Sequence, residues 1–198
     1  GTIDGANYNV GLGVDVFAAL TTGDTNIAVG FAALTSLTTG HANVALGYQA
    51  GDAITTGYGN ILLGESTGTA VTSGNSNVAI GHGAFTSLTT GVSNTIIGAL
   101  AGDAITSASS NSGVGASCLG ALTTGYNNHA QGASAMSSTT TGVENTAMGH
   151  QALYSNVGGN DNVAIGNNAL YTNTASGNTA VGDQALFSNT SGTINVGV

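Results

Sequence analysis

Asn162-Val163-Ala164-Ile165-Gly166 reads as a short strand closed by a glycine, and Asn26-Ile27-Ala28-Val29-Gly30 and Asn77-Val78-Ala79-Ile80-Gly81 repeat it. The asparagine that opens the pattern recurs at Asn9, Asn26, Asn43, Asn60, Asn77, Asn94, Asn111, Asn128, Asn145 and Asn162, always 17 residues apart. Asn178 follows after 16 residues and Asn195 after 17. A glycine stands four positions after each asparagine as far as Gly182, and a second glycine column, including Gly40, Gly57 and Gly74, precedes the asparagine by three. Two glycines per repeat leave no unbroken apolar stripe of helical period, which excludes a helical array. A fixed period of this length means stacked units. The expected fold is therefore all-β, a parallel β-solenoid of about eleven 17-residue coils with two short strands per coil. The second strand is expected in the Leu-x-Ser-x-Thr-Thr stretch. Coils stacked ~4.8 Å apart make a rod roughly 50 Å long. Residues 1–198 form one solenoid domain, and no polar cap is visible at either end, so its coils are expected to be open at both.

Stacking assigns a role to each column. Asn26, Asn43, Asn60, Asn77, Asn94, Asn111, Asn128, Asn145 and Asn162 are expected to form a side-chain amide ladder. Both glycine columns are expected at corners with positive φ. Within the strand, large aliphatics alternate with a small residue. Leu34, Phe85, Met136, Leu153 and Leu170, with Leu37, Ile54, Leu88, Ile105 and Leu122, are expected to close the coil interior over the large set. The small column Ala28, Ala45, Ala79, Ala147, Ala164 and Ala180, with Leu62 and Ile96 as larger exceptions, is then expected to face outward as an oligomer face.

Composition narrows the partners. The chain has no lysine, arginine, proline or tryptophan, 9 acidic residues, 4 histidines and a formal net charge of −9. Without fixed positive charge it cannot neutralise phosphates, which argues against nucleic acid and anionic lipid as partners. A hydrophobic fraction of 41% with 5% charged residues is opposite to the disordered signature. No apolar run is long enough to span a bilayer, so this segment is not expected to insert in a membrane. The opening Gly1-Thr2-Ile3 has no basic region of a signal peptide.

No catalytic, cofactor or metal site is expected, and the chain reads as non-enzymatic. The acids scatter over several columns, and Asp52 and Asp103, which share one, lie three coils apart, about 14 Å. His41, His82, His129 and His150 lack metal-ligand spacing, and Gly158-Gly159 lacks the lysine of a phosphate loop. Cys118 falls in a column of alanines and is expected to be a buried, inert thiol. In Asn128-His129-Ala130-Gln131-Gly132 both large apolar positions are polar; facing inward, they would weaken the coil or hold water or an anion. Threonines from Thr21 to Thr190, with a second rank from Thr22 to Thr141, raise ice binding as an alternative. Open solenoid ends raise another, end-to-end polymerisation into a filament. Any surface receptor is expected to meet Tyr48, Tyr58, Tyr126, Tyr154 and Tyr171 in the turns.

The runs Asn162–Tyr171 and Asn178-Thr179-Ala180-Val181-Gly182-Asp183-Gln184-Ala185-Leu186 resemble the head repeats of trimeric autotransporter adhesins and related phage tail-fibre repeats. The resemblance covers nearly the whole chain, although the period of 17 is longer than in the best-known adhesin heads. It implies a left-handed β-roll, three chains around one axis, and an extracellular structural or adhesive fibre at a cell or virion surface.

Overall fold

The structure, a computed structural model, describes residues 5–198. Strands β1 (Val10–Leu12), β2 (Ile27–Val29), β3 (Val44–Leu46) and their successors to β12 (Val196–Gly197) form one 12-stranded sheet in chain order. Each strand is parallel to the next, with Ile27 opposite Val44, Ala28 opposite Ala45 and Val29 opposite Leu46. No helix occurs among the described residues. The 17-residue period thus becomes a β-solenoid of about eleven turns.

One strand forms per coil, not two. The Leu-x-Ser-x-Thr-Thr stretch does bond to the next coil, but with a different geometry. The N–H groups of Thr21, Thr22 and Gly23 and the Thr21 hydroxyl all donate to the Thr38 carbonyl, at 2.9–3.2 Å. Convergence of successive donors on one oxygen curls the chain, whereas a strand ladder needs donors and acceptors to alternate.

The rest of each coil is turned by non-glycine residues with positive φ. They stand immediately before the ladder asparagine (Thr25, Ala42, Ser76) and six and eight residues after it (Ala32 and Leu34; Gln151 and Leu153). The two that follow the strand turn their N–H groups in opposite directions along the rod. Ala32 donates back to the Val14 carbonyl at 2.9 Å, and Leu34 donates forward to that of Ala50 at 3.1 Å. Left-handed strain, of order 1–3 kcal/mol per residue, is held in place by these bonds and by burial of Leu34, Phe85 and Leu153.

The glycine columns have two different causes. Gly30, Gly47, Gly98 and their equivalents have φ between +133° and +148°. The second column, Gly23, Gly40 and Gly57, is not left-handed; there a Cβ would lie 2.2–2.5 Å from the carbonyl oxygen of the next coil's glycine. Close backbone approach, not φ, disfavours a side chain at these glycines; Ala108, buried in the same column, is an exception.

The strand faces the other way from the sequence expectation. Ala28, Ala45, Ala79, Ala147, Ala164 and Ala180 are fully buried inside the coil, so they are not an oligomer face. The large aliphatics on either side of them point outward. The physical reason is width: Leu34, Leu153 and Leu170 and the column from Leu20 to Leu122 already fill the narrow interior and leave room for a methyl group. Where the strand centre is larger, a neighbour shrinks. Leu62 is fully buried, and a Cβ on Gly51 or Gly68 would lie 2.8 Å from its methyl carbon. On Gly113, which stands in the alanine column, a Cβ would lie 2.8 Å from Ile96 Cδ1 and 2.9 Å from Cys118 Sγ.

Candidate functional site

The surface that the sequence builds most consistently is the outward side of the sheet. Because strand side chains alternate, burying the alanine column exposes the residues before and after it on every strand. Ile27, Leu46, Ile61, Met148, Ile165 and Val181 are each 38–40% exposed, although each is flanked by neighbours in the coils above and below. The result is two parallel ranks of side chains with a groove between them, running along the rod. One, from Leu12 to Val181, is apolar except at Gln131, and the other is aliphatic from Val10 to Val78 and at Val163 but polar at Thr95, Ser112, His129, Thr146 and Thr179. Among the described residues no strand carries an acidic residue: Asp15, Asp24, Asp52, Glu65, Asp103, Glu144, Asp161 and Asp183 all lie outside strands. A chain of net charge −9 therefore has a mainly apolar face free of described acids.

The asparagine ladder supports this face from the strand's N-terminal edge. Asn43 donates its backbone N–H and its Nδ2 to Asn26 Oδ1 at 2.9 and 3.1 Å, and its Nδ2 also donates to the Gly57 carbonyl at 2.8 Å. The same three bonds recur at Asn60, Asn77, Asn94, Asn111, Asn128, Asn145 and Asn162, all buried. At the 16-residue coil the pattern breaks: Asn178 keeps the backbone bond to Asn162 Oδ1, but its Nδ2 turns to Asn173 Oδ1 at 3.1 Å. Asn173 belongs to a buried column that the sequence reading left unassigned beyond Leu122, where leucine gives way to Thr139, Asn156 and Asn173. Asn189, half-buried in the next coil, donates to Asn173 Oδ1 at 3.0 Å, whereas Thr139 Oγ1 and Asn156 Oδ1 have no partner.

Other chemistry-bearing residues are not gathered together. Among the described residues no group of three His, Cys, Asp or Glu could hold a metal ion. His41 stacks on Tyr58 with ring centroids 5.0 Å apart, His150 Nδ1 lies 3.2 Å from Asn167 Oδ1, and His129 is exposed on the sheet face. Tyr48 stacks on Phe31, and Tyr154, Tyr171 and Phe187 form a stack at 5.1 and 5.0 Å. The five tyrosines thus fall in three separate columns and make no common site. The first threonine rank spends its hydroxyls on the next coil, as Thr38 does on the Thr55 carbonyl at 3.0 Å, so only the rank from Thr22 to Thr141 is fully presented to solvent. A cavity of about 560 Å³ at the first coil is lined by residues that include Tyr8, Asn9 and Phe17, with no acid or histidine among them. Cys118 is buried, and burial pushes its thiol up to about 12, which makes it a poor nucleophile. No helix of the described residues is long and apolar enough to cross a membrane.

Among the described residues Asp52 is the one carboxylate held above its ordinary range, because burial disfavours its charge; backbone hydrogen bonds oppose this in part. Its Oδ1 has no partner. A raised carboxyl pKa penalises the folded state once the group ionises, so its contribution is present when protonated and lost as pH rises through the folded value. Asp52→Asn is expected to raise the melting temperature at pH 7 by a gain kept below about 1 kcal/mol by partial solvent exposure. The gain should vanish below about pH 4, where the unfolded acid is also protonated. A scan of melting temperature against pH for both proteins checks this.

Compared with protein-family models, curated proteins and solved structures, the chain has no match in any of the three.

Proposed function

We propose that this chain is a non-enzymatic structural segment of an extracellular fibre, and that copies of it assemble side by side through the outer sheet face. The observation that carries the reading is the acid-free, mainly apolar face on a protein of net charge −9. Copies that approach by any other side bring like charges together; by this face they bury apolar surface at no electrostatic cost. A face roughly 50 Å long and three residues wide offers about 500 Å² per copy, or about 1,500 Å² summed over a ring of three, so that the ring rather than any one pair supplies an area of the size specific interfaces bury. Two ranks separated by a groove suit a ring of three, in which each rank meets a different neighbour. The resemblance to adhesin head repeats points to the same number of chains, and to a cell or virion surface as its location. The absence of lysine and arginine, which removes every site for trypsin-type cleavage, fits that location.

The expected result is a discrete species of three times the chain mass in sedimentation equilibrium. Ile61→Glu combined with Val78→Glu should convert it to a monomer with an unchanged far-ultraviolet spectrum. A native chain that stays monomeric at 100 μM would remove the reading. Long fibres in electron microscopy would replace it with end-to-end polymerisation.

A further inference from the structure

The outer face is not uniform along its length. Most strands expose aliphatic residues at both outward positions, as with Ile27 and Val29, Ile61 and Leu63, or Val163 and Ile165. On β8 (His129–Gln131) both positions are polar and exposed. The sequence expectation that these two side chains face into the coil is therefore corrected; Ala130 faces inward and is buried. In register with His129 stand Ser112 on β7 (Ser112–Val114) and Thr146 on β9 (Thr146–Met148), while Gln131 lies between Val114 and Met148. The His129 rank also carries hydroxyls at Thr95, Ser112, Thr146 and Thr179, whereas on the other rank Gln131 is the one polar side chain between Leu12 and Val181, so β8 alone is polar on both ranks.

We propose that this layer is the register key of the assembly, an inference that rests on the side-by-side reading above. A face that repeats every coil is degenerate, because a neighbour slipped by one coil, about 4.8 Å, replaces aliphatic contacts with equivalent ones. The His129–Gln131 layer removes that degeneracy. In register, with each rank against the other rank of a neighbour, the imidazole of one copy meets the amide of the next, and each carries both a donor and an acceptor with which to pair. Slipped by one coil, a copy sets His129 against its neighbour's Val114 or Met148, so that the imidazole is buried against apolar side chains without a partner. A single polar layer in an apolar seam fixes alignment in this way in helical assemblies. The position of the layer also selects direction. It lies on the eighth of twelve strands, so an antiparallel neighbour would bring His129 and Gln131 against the fifth, Val78–Ile80, which is aliphatic at both outward positions. Antiparallel copies bring their layers together only by sliding three coils and giving up that overlap, whereas parallel copies do so over the full length.

The test uses cysteine reporters on the outer face, beside the buried native Cys118: Ile61→Cys on one rank and, on the other, Leu63→Cys in the same coil or Ile80→Cys one coil on. Chains bearing Ile61→Cys are co-expressed with chains bearing one of the other two, purified as an oligomer at pH 7.5 and oxidised. With the native layer, disulfides are expected with Leu63→Cys and hardly at all with Ile80→Cys. Adding His129→Val and Gln131→Leu to both chains should leave the oligomer intact and raise the Ile61→Cys to Ile80→Cys disulfide at least fivefold. Equal amounts of that disulfide with and without the layer would overturn the register key while the assembly stands. A native chain that sediments as a monomer would overturn both.

Discussion

Gly98→Ala is expected to cost about 3–5 kcal/mol of stability, the sum of overpacking against backbone and left-handed strain. Gly98 has φ +148°, and a Cβ there would lie 2.2 Å from the Gly115 carbonyl oxygen and 2.5 Å from its carbon. Both atoms are backbone of the next coil, which cannot move aside without opening the ladder on the coil after it. Gly182 makes the comparison. It has a similar φ of +134°, but a Cβ would find nothing nearer than 3.8 Å. Gly182→Ala should therefore cost only the conformational part, about 1–2 kcal/mol. Urea unfolding followed by circular dichroism separates the two. Equal losses would mean that φ alone governs this column, and a loss under about 1 kcal/mol at Gly98 would contradict the stacking distance itself.

Asn94→Ala is expected to cost about 2–5 kcal/mol, because it strips partners from groups that water cannot reach. The Asn94 side chain accepts from the backbone N–H and Nδ2 of Asn111 at 3.0 and 3.1 Å and donates to the Ala108 carbonyl at 2.8 Å. Alanine leaves the buried Asn111 N–H and the Ala108 carbonyl without those bonds. Asn75 gives the contrast: its Oδ1 accepts from the Tyr58 N–H at 2.9 Å at an exposed site, where water can replace it. Asn75→Ala should cost under about 1 kcal/mol. Hydrogen exchange at the Asn111 amide offers a local readout, expected to quicken at least tenfold in Asn94→Ala. Unchanged protection there would show that the ladder is not what holds that corner.

The period, the parallel stacking and the asparagine ladder were legible because identical residues in one column are direct neighbours, and the sequence displays the columns openly. The inward side of the strand was not legible, since Val163, Ala164 and Ile165 are all apolar and alternation alone has no preferred sense. What decides it is the width of the coil, and that width is set by left-handed residues such as Ala32, Leu34 and Phe85, which carry none of the usual glycine or asparagine signal. A clue was present in the sizes: Leu62 sits between coils that have Gly51 and Gly68 where others have leucine or phenylalanine. Such compensation belongs to an interior. The second strand was misread for a related reason, because Thr-Thr is strand-like by propensity but here its amides share one acceptor.

The bonds that join one coil to the next lie along the rod, so a pull between its ends loads the coil interfaces in series. They yield in turn, starting where holding is weakest. The 16-residue coil, whose Asn178 lacks the amide bond to Asn162, is expected to be among the first to yield. Each 17-residue coil that opens exchanges about 4.8 Å of rod for about 55–60 Å of extended chain. A rod built this way holds a reserve of length more than tenfold its resting span, released in steps.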